Sequence, residues 1–317
     1  FIGQYRAGRA LFQKQADDGR DLYGYLDRSG KEVIPATFPE ANDFTLGRKA
    51  VVKIADGEYA LIDVNGRRLA TYKYAYVGNP GDGLLAFRRQ ENGPFGYIDE
   101  AGRVVIEPRF TNALAFSGGR AVVNVAPDYG SEYGLIDRAG NFIVEPKYND
   151  ILQLGENRVA LGKAIDPERP FAGSTYAIAD AETGRLLTDF RFRSVQNYRS
   201  SLASVSDEEH TYFIGTDGKP AQGLPRWNGS GTLTLLGSVV QANVDQRLSY
   251  YNLNLGKLVW TENTAIPLTP PYVVKQHKYN PNPNYLVYYP QVEGIADRAA
   301  AERANRRLRE LSGVKPV

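Results

Sequence analysis

Five aspartates in this chain have the type and spacing to do chemistry: Asp27, Asp63, Asp99, Asp137 and Asp180, each followed within four residues by a glycine. Repeated Asp/Gly loops can bind calcium, and opposed carboxylates can cleave glycosidic bonds. Calcium loops, however, gather several oxygen ligands within about a dozen residues, and each loop here holds one or two acids. Glycoside cleavage needs two carboxyl groups facing each other at roughly 5–9 Å, whereas a repeat spaces equivalent residues around its scaffold. The plainer reading is a turn cap. An aspartate accepts a hydrogen bond from a backbone N–H two residues on, and the glycine supplies a positive φ. The two histidines, His210 and His277, are far apart in sequence and sit in no metal-binding or catalytic spacing. No glycine-rich loop leads from a strand into a helix as a phosphate site would require. Without cysteine there is no thiol nucleophile, zinc thiolate or disulfide. The expectation is a chain with no catalytic residue, metal or cofactor.

The aspartates are positioned by a recurring unit. In Phe95-Gly-Tyr-Ile-Asp-Glu-Ala-Gly102 an aromatic and β-branched run reads as a half-buried strand, and Asp99 to Gly102 as a hairpin turn. Val104, Val105 and Ile106 then read as the return strand, with Pro108 ending it because proline donates no ladder bond. Copies begin at Tyr23, Tyr59, Tyr133, Tyr176, Tyr212 and Tyr250, so the steps are 36, 36, 38, 43, 36 and 38 residues. A period near 37 marks a repeat architecture. Between hairpins lies a second turn followed by an apolar strand, clearest in Phe116-Ser-Gly-Gly-Arg-Ala-Val-Val123. Each repeat therefore supplies about four short strands. Glu107 and Glu145 recur with Arg109 and Lys147, which reads as surface pairing between neighbouring strands.

The expected fold class is all-β: tandem hairpin repeats over 1–262 forming a propeller-like ring, with an open β-solenoid as the alternative. Gly8-Arg-Ala-Leu-Phe12 matches Gly119-Arg-Ala-Val-Val123, so the N-terminal strand is expected to complete the last blade and tie the ring. Residues 263–317 read as a Pro-rich linker, a hairpin over 273–289 and a helix over 298–311 capped by Asp297. They could open a second domain.

The pattern aromatic-Gly-Tyr/Leu-Ile-Asp-x-x-Gly, then Ile-x-Pro-x-Phe/Tyr, resembles the WG-repeat family of bacterial proteins, with Tyr23, Phe95 and Tyr133 in place of its tryptophan. The resemblance covers about 1–260 and implies a β-repeat module used for interaction, with no catalytic residues to carry over. A shorter stretch, Tyr288-Tyr-Pro-Gln-Val-Glu-Gly294 with Ala304-Asn305, resembles the opening of an extracytoplasmic domain of unknown function found beside deacetylase-like and anti-sigma-factor proteins. That resemblance implies an envelope location.

Composition narrows the partners. Lys+Arg number 38 against Asp+Glu 36, and a net charge of +2 makes no electrostatic case for nucleic acid or an anionic membrane. No apolar run approaches the roughly 18 residues of a membrane span. The chain contains no methionine, even at position 1, which reads as a start after a removed segment such as a signal peptide. A periplasmic or otherwise extracytoplasmic protein is expected, with lipid anchoring through the removed N-terminus as an added option. Residues 163–175 form the longest insertion, and loops on a rigid repeat are where binding concentrates. Tyr129, Tyr133 and Phe171 are therefore the candidate binding residues, for a protein or glycan partner in the envelope. The alternatives are a carbohydrate-active enzyme or accessory, told apart by two close carboxylates or an aromatic-lined groove, and a spacer without a ligand.

Overall fold

The computed structural model describes residues 2–127 and 131–262. The chain divides into two compact units, 1–260 and 261–317. The linker, hairpin and helix expected over 263–317 lie outside the described residues. The first unit is almost entirely β: seven antiparallel sheets follow one another along the chain over 2–38, 40–73, 76–110, 112–148, 150–180, 194–228 and 231–261. Within each, the strands pair in sequence order, so every repeat folds as its own meander, here called a blade. Six blades have four strands and the fifth has three. Its fourth strand is broken into single bridges, Tyr176 to Phe192 and Ala179 to Leu186. At the break, the Thr188 hydroxyl accepts the Ile178 N–H at 2.9 Å, so a side chain takes the place of a strand carbonyl.

The N-terminal expectation is corrected. Ile2–Arg6 and Arg9–Gln15 are the first two strands of the first blade and do not complete the seventh. The resemblance of 8–12 to 119–123 is real at the level of strand position, because both are second strands that pair with the hairpin that follows them.

Consecutive blades bury their faces on one another. Val51, Leu61, Tyr72, Leu85, Phe87 and Ile98 join the second blade to the third. Ala86, Tyr97, Phe110, Phe116 and Ile136 join the third to the fourth. Middle strands packed on both sides lose the usual in–out alternation: Val51 and Val52 are both 0% exposed, as strands buried on both faces require. The buried tyrosine of the hairpin reaches into the next blade. The Tyr97 hydroxyl donates to the Leu114 carbonyl at 2.7 Å, and its ring meets Phe116 at 4.8 Å. Tyr25 repeats this with the Asn42 carbonyl and Phe44.

The glycine after the leading aromatic has a specific cause. Phe95 pairs with Phe110 and Tyr97 with Ile106, so two residues of one strand face four of the next. The excess is a bulge at Pro108. Pro108 therefore does not end the strand, which runs Val104–Phe110. A bulge is one of the few ladder positions where proline is tolerated. The bulged backbone lies over Gly96, where an added Cβ would sit 2.4 Å from the Ile106 carbonyl oxygen. Gly24 with Pro35 and Gly134 with Pro146 repeat the pairing. The second blade has Ala60 instead, and there the register runs straight, Tyr59 to Tyr72, Ala60 to Thr71 and Leu61 to Ala70.

The aspartates cap turns. Asp99 Oδ1 accepts the Ala101 and Arg103 N–H groups at 3.0 and 2.9 Å, and Asp27, Asp63 and Asp137 do the same two and four residues on. In Asp99 the Arg103 backbone bond holds the carboxyl below the usual range, and in Asp27 the Ser29 hydroxyl does so. The turn glycines of the second to sixth blades also sit against the outer strand of the preceding blade. A Cβ added to Gly66 would meet Ile34 at 3.3 Å, one on Gly102 would meet Tyr72 at 3.4 Å, and one on Gly140 would meet Ile106 at 3.1 Å.

Candidate functional site

Antiparallel strands place the turns of each blade on two ends. The Asp turns share one end with the turns between first and second strands. The loops between second and third strands lie at the other. These loops differ most between repeats, from residues 56–57 in the second blade to 165–173 in the fifth. The long one is held by its own bonds. Asp166 accepts the Glu168 N–H and the Arg169 guanidinium, Ile165 N–H donates to the Gly173 carbonyl, and Asn149 donates to the Pro170 carbonyl at 2.9 Å. At its tip, the short 3-10 turn Pro170–Ala172 lifts Phe171 to 87% exposure.

Beside the insertion is a cleft of about 470 Å³ lined by Thr175, Phe190, Arg191, Arg193 and the acidic turn Asp207, Glu208 and Glu209. The broken fourth strand of the fifth blade forms one wall. Arg193 crosses the cleft to pair with Glu208 and donates to Thr175. Cations lie over the aromatic faces: Lys163 Nζ is 4.2 Å from the Phe190 ring centre and Arg226 is 4.7 Å from that of Tyr212. Arg226 also bridges His210 Nδ1 at 2.7 Å and Asp207 at 3.7 Å. Burial raises the Asp207 carboxyl, but the N–H groups of His210 and Glu209 outweigh it and leave the group below its ordinary value. The result is a wall with both charges and flat apolar surface, which suits recognition of a polar chain bearing rings or charged groups.

Under the insertion lies a second polar group. The Tyr176 hydroxyl donates to Asp150 Oδ2 at 2.8 Å. Burial pushes the Asp150 carboxyl up, and burial together with Asp150 pushes the Tyr176 hydroxyl up to about 12. Asp150 Oδ1 and Asn149 Oδ1 are buried without a partner among the described residues. No group of three metal-ligating side chains comes together among the described residues, and no helix among them is long and apolar enough to cross a membrane.

Of the residues singled out from sequence, Phe171 stands exposed on the insertion. Tyr133 begins the third strand of the fourth blade, on the same end, half-buried against the core it shares with the fifth blade. Tyr129 lies outside the described residues, as does His277. The acidic run 207–209 lines the cleft. Phe190, Arg191 and Arg193 were not singled out, because nothing in their local sequence marks them. Glu107 pairs with Arg89 at 3.0 Å, while Arg109 donates to the Gly140 carbonyl of the next blade.

The sheets define a β-propeller-like repeat protein. Its family follows from the repeats themselves: the model described as WG containing repeat matches residues 23–59, 95–125 and 133–160. Over those three stretches the chain carries WG-type repeats. Among solved structures it is similar to a eukaryotic initiation factor at 9% identity, covering 80% of this chain and 75% of that one with a TM-score of 0.53. It also matches BamB from Moraxella catarrhalis (15% identity, 83% and 82% covered, TM-score 0.40) and Saccharomyces cerevisiae Sqt1 (10%, 82% and 83%, 0.40). The curated proteins contain no match.

Proposed function

We propose that this chain is a non-catalytic interaction module of the bacterial cell envelope that binds a protein or glycan partner through the loop-bearing end of its fourth to sixth blades. The observation that carries this reading is Phe171, a large apolar side chain 87% exposed on a loop that hydrogen bonds hold in place. An exposed apolar ring on a pre-ordered loop binds at little ordering cost, and aromatic and arginine side chains dominate binding hot spots. Phe190, Arg191 and Arg193 line the cleft together with Thr175, which ends the same insertion. The envelope location is supported by the resemblance of 288–305 to an extracytoplasmic domain.

The test places a photo-reactive phenylalanine analogue at position 171 in cells and looks for an adduct. In parallel, Phe171→Ala is compared with wild type for retention on isolated envelope fractions, with and without protease treatment to separate protein from glycan partners. If Phe171 is an anchor worth about 2 kcal/mol, the variant binds roughly thirtyfold more weakly. No adduct, together with equal retention of Phe171→Ala, would refute the reading. Cell fractionation that leaves the chain with the cytoplasm would refute its location.

A further inference from the structure

Inside this molecule one type of blade-to-blade contact recurs. The Asp turn of a blade receives the outer strand of the blade before it, so that Gly66, Gly102, Gly140, Gly184 and Gly218 each have a side chain or backbone of that strand where a Cβ would go. The nearest atoms belong to Ile34, Tyr72, Ile106, Ile143 and Thr188 in turn, at 3.3, 3.4, 3.1, 2.6 and 2.6 Å. Gly30, in the turn of the first blade, has nothing within 4 Å, and residues 28–32 are all exposed. The same side of that blade exposes Ile2 to 62% and Tyr5 to 46%. Among the described residues no outer strand lies in the first blade's turn, the receiving half of the contact; the seventh blade's Gly256, which meets only Tyr251 of its own blade at 4.0 Å, is the one turn inside the array that does not follow the pattern of the other five. The giving half is present at the other end of the unit. The outer strand Lys257–Thr261 exposes Leu258 to 48%, Val259 to 47% and Trp260 to 48%.

We propose that the first blade docks the outer strand of the seventh blade of a second copy of this chain, head to tail. The contact would repeat the one made five times within each copy, with Leu258 and Trp260 as the apolar donors and the Asp27–Gly30 turn as receiver. Because the two halves differ, the association is heterologous, and each added copy leaves one half free for the next. The inference is independent of the binding function proposed above, which uses the loop end of the fourth to sixth blades.

The chain has no cysteine, so introduced thiols report cleanly. Arg28→Cys and Leu258→Cys are made singly, mixed in equal amounts, and treated with a short bismaleimide. Both positions are exposed, so folding is not at stake. The expected product is a two-chain species that forms in the mixture and not with either variant alone. The double variant is expected to give a ladder of multiples of one chain. Crosslinking of the double variant within single chains only would mean that the protein closes on itself, and would overturn the proposal. So would the absence of any crosslink in the mixture, which would leave the first blade open or covered by another segment. In sedimentation of the uncrosslinked protein, Trp260→Glu is expected to abolish the concentration-dependent shift to larger species. Equal sedimentation of variant and wild type would count against the proposal.

Discussion

Replacing Gly96 with alanine tests the central packing rule of the repeat. An alanine Cβ there would lie 2.4 Å from the Ile106 oxygen, 2.7 Å from the Pro108 nitrogen and 2.9 Å from the Glu107 carbonyl carbon. All three are backbone atoms, so no side chain can swing aside, and the bulge must move. Overpacking of this kind costs about 1–3 kcal/mol when the surroundings shift. If the outer strand instead detaches, Ile106 (4% exposed) and Phe110 (0%) leave the core, at about 1.5–3 kcal/mol each. The expected loss is therefore about 3 kcal/mol, with 6 as a rough upper bound. Glycine is ordinarily the weaker strand residue, so propensity alone predicts a small gain, and the two arguments differ in sign. Repeats open locally, so the assay is amide hydrogen exchange on peptides covering 95–110, supported by urea denaturation. Ala60→Gly in the second blade, where no bulge covers the position, serves as the control and should lose about 1–2 kcal/mol, from backbone freedom and from the methyl it removes from the core. Exchange in Gly96→Ala at or below the wild-type rate would refute the reasoning.

Two further outcomes are expected. Tyr97→Phe removes the 2.7 Å bond to the Leu114 carbonyl and should cost about 1 kcal/mol, read as faster exchange in both the third and fourth blades. Asp150→Asn should stabilise the protein at pH 7. Burial raises the folded Asp150 carboxyl above its unfolded value, so its ionisation opposes folding once the pH passes those values, and the opposition vanishes below about pH 4, where both states are protonated. Melting curves at pH 7 and pH 3.5 should show a higher midpoint for the variant only at pH 7. A gain of equal size at both would contradict the linkage.

Much of this fold is legible in one dimension, because its rules are local. Asp99 and Gly102 make their turn from adjacent residues, and the same chemistry about 37 residues away makes the same turn. The period therefore reveals both the hairpins and the number of blades. Pro108 was misread because its effect depends on a partner strand. As a single residue it is a stop signal, but with Gly96 opposite, it becomes a tolerated bulge. The coupling is visible in retrospect, since Gly24, Gly96 and Gly134 each precede a proline eleven or twelve residues later and the straight second blade has neither. The cleft had no such signal. Thr175, Phe190, Arg193 and Glu208 belong to different loops and strands, and only the packing of the fifth blade on the sixth brings them together.

Sequence by itself determined the strand class, the turn chemistry, the period and the exposure of Phe171 on an insertion, because hydrogen bonds and side-chain alternation over a few residues set all of these. Tertiary structure alone decided which blade the N-terminal strands join, where the bulges fall, and which surfaces have no neighbour among the described residues. Those outcomes depend on register and on contacts between blades. A turn such as Asp27–Gly30 has the same local chemistry as its copies, and it differs from the turns of the second to sixth blades in having no outer strand against it among the described residues.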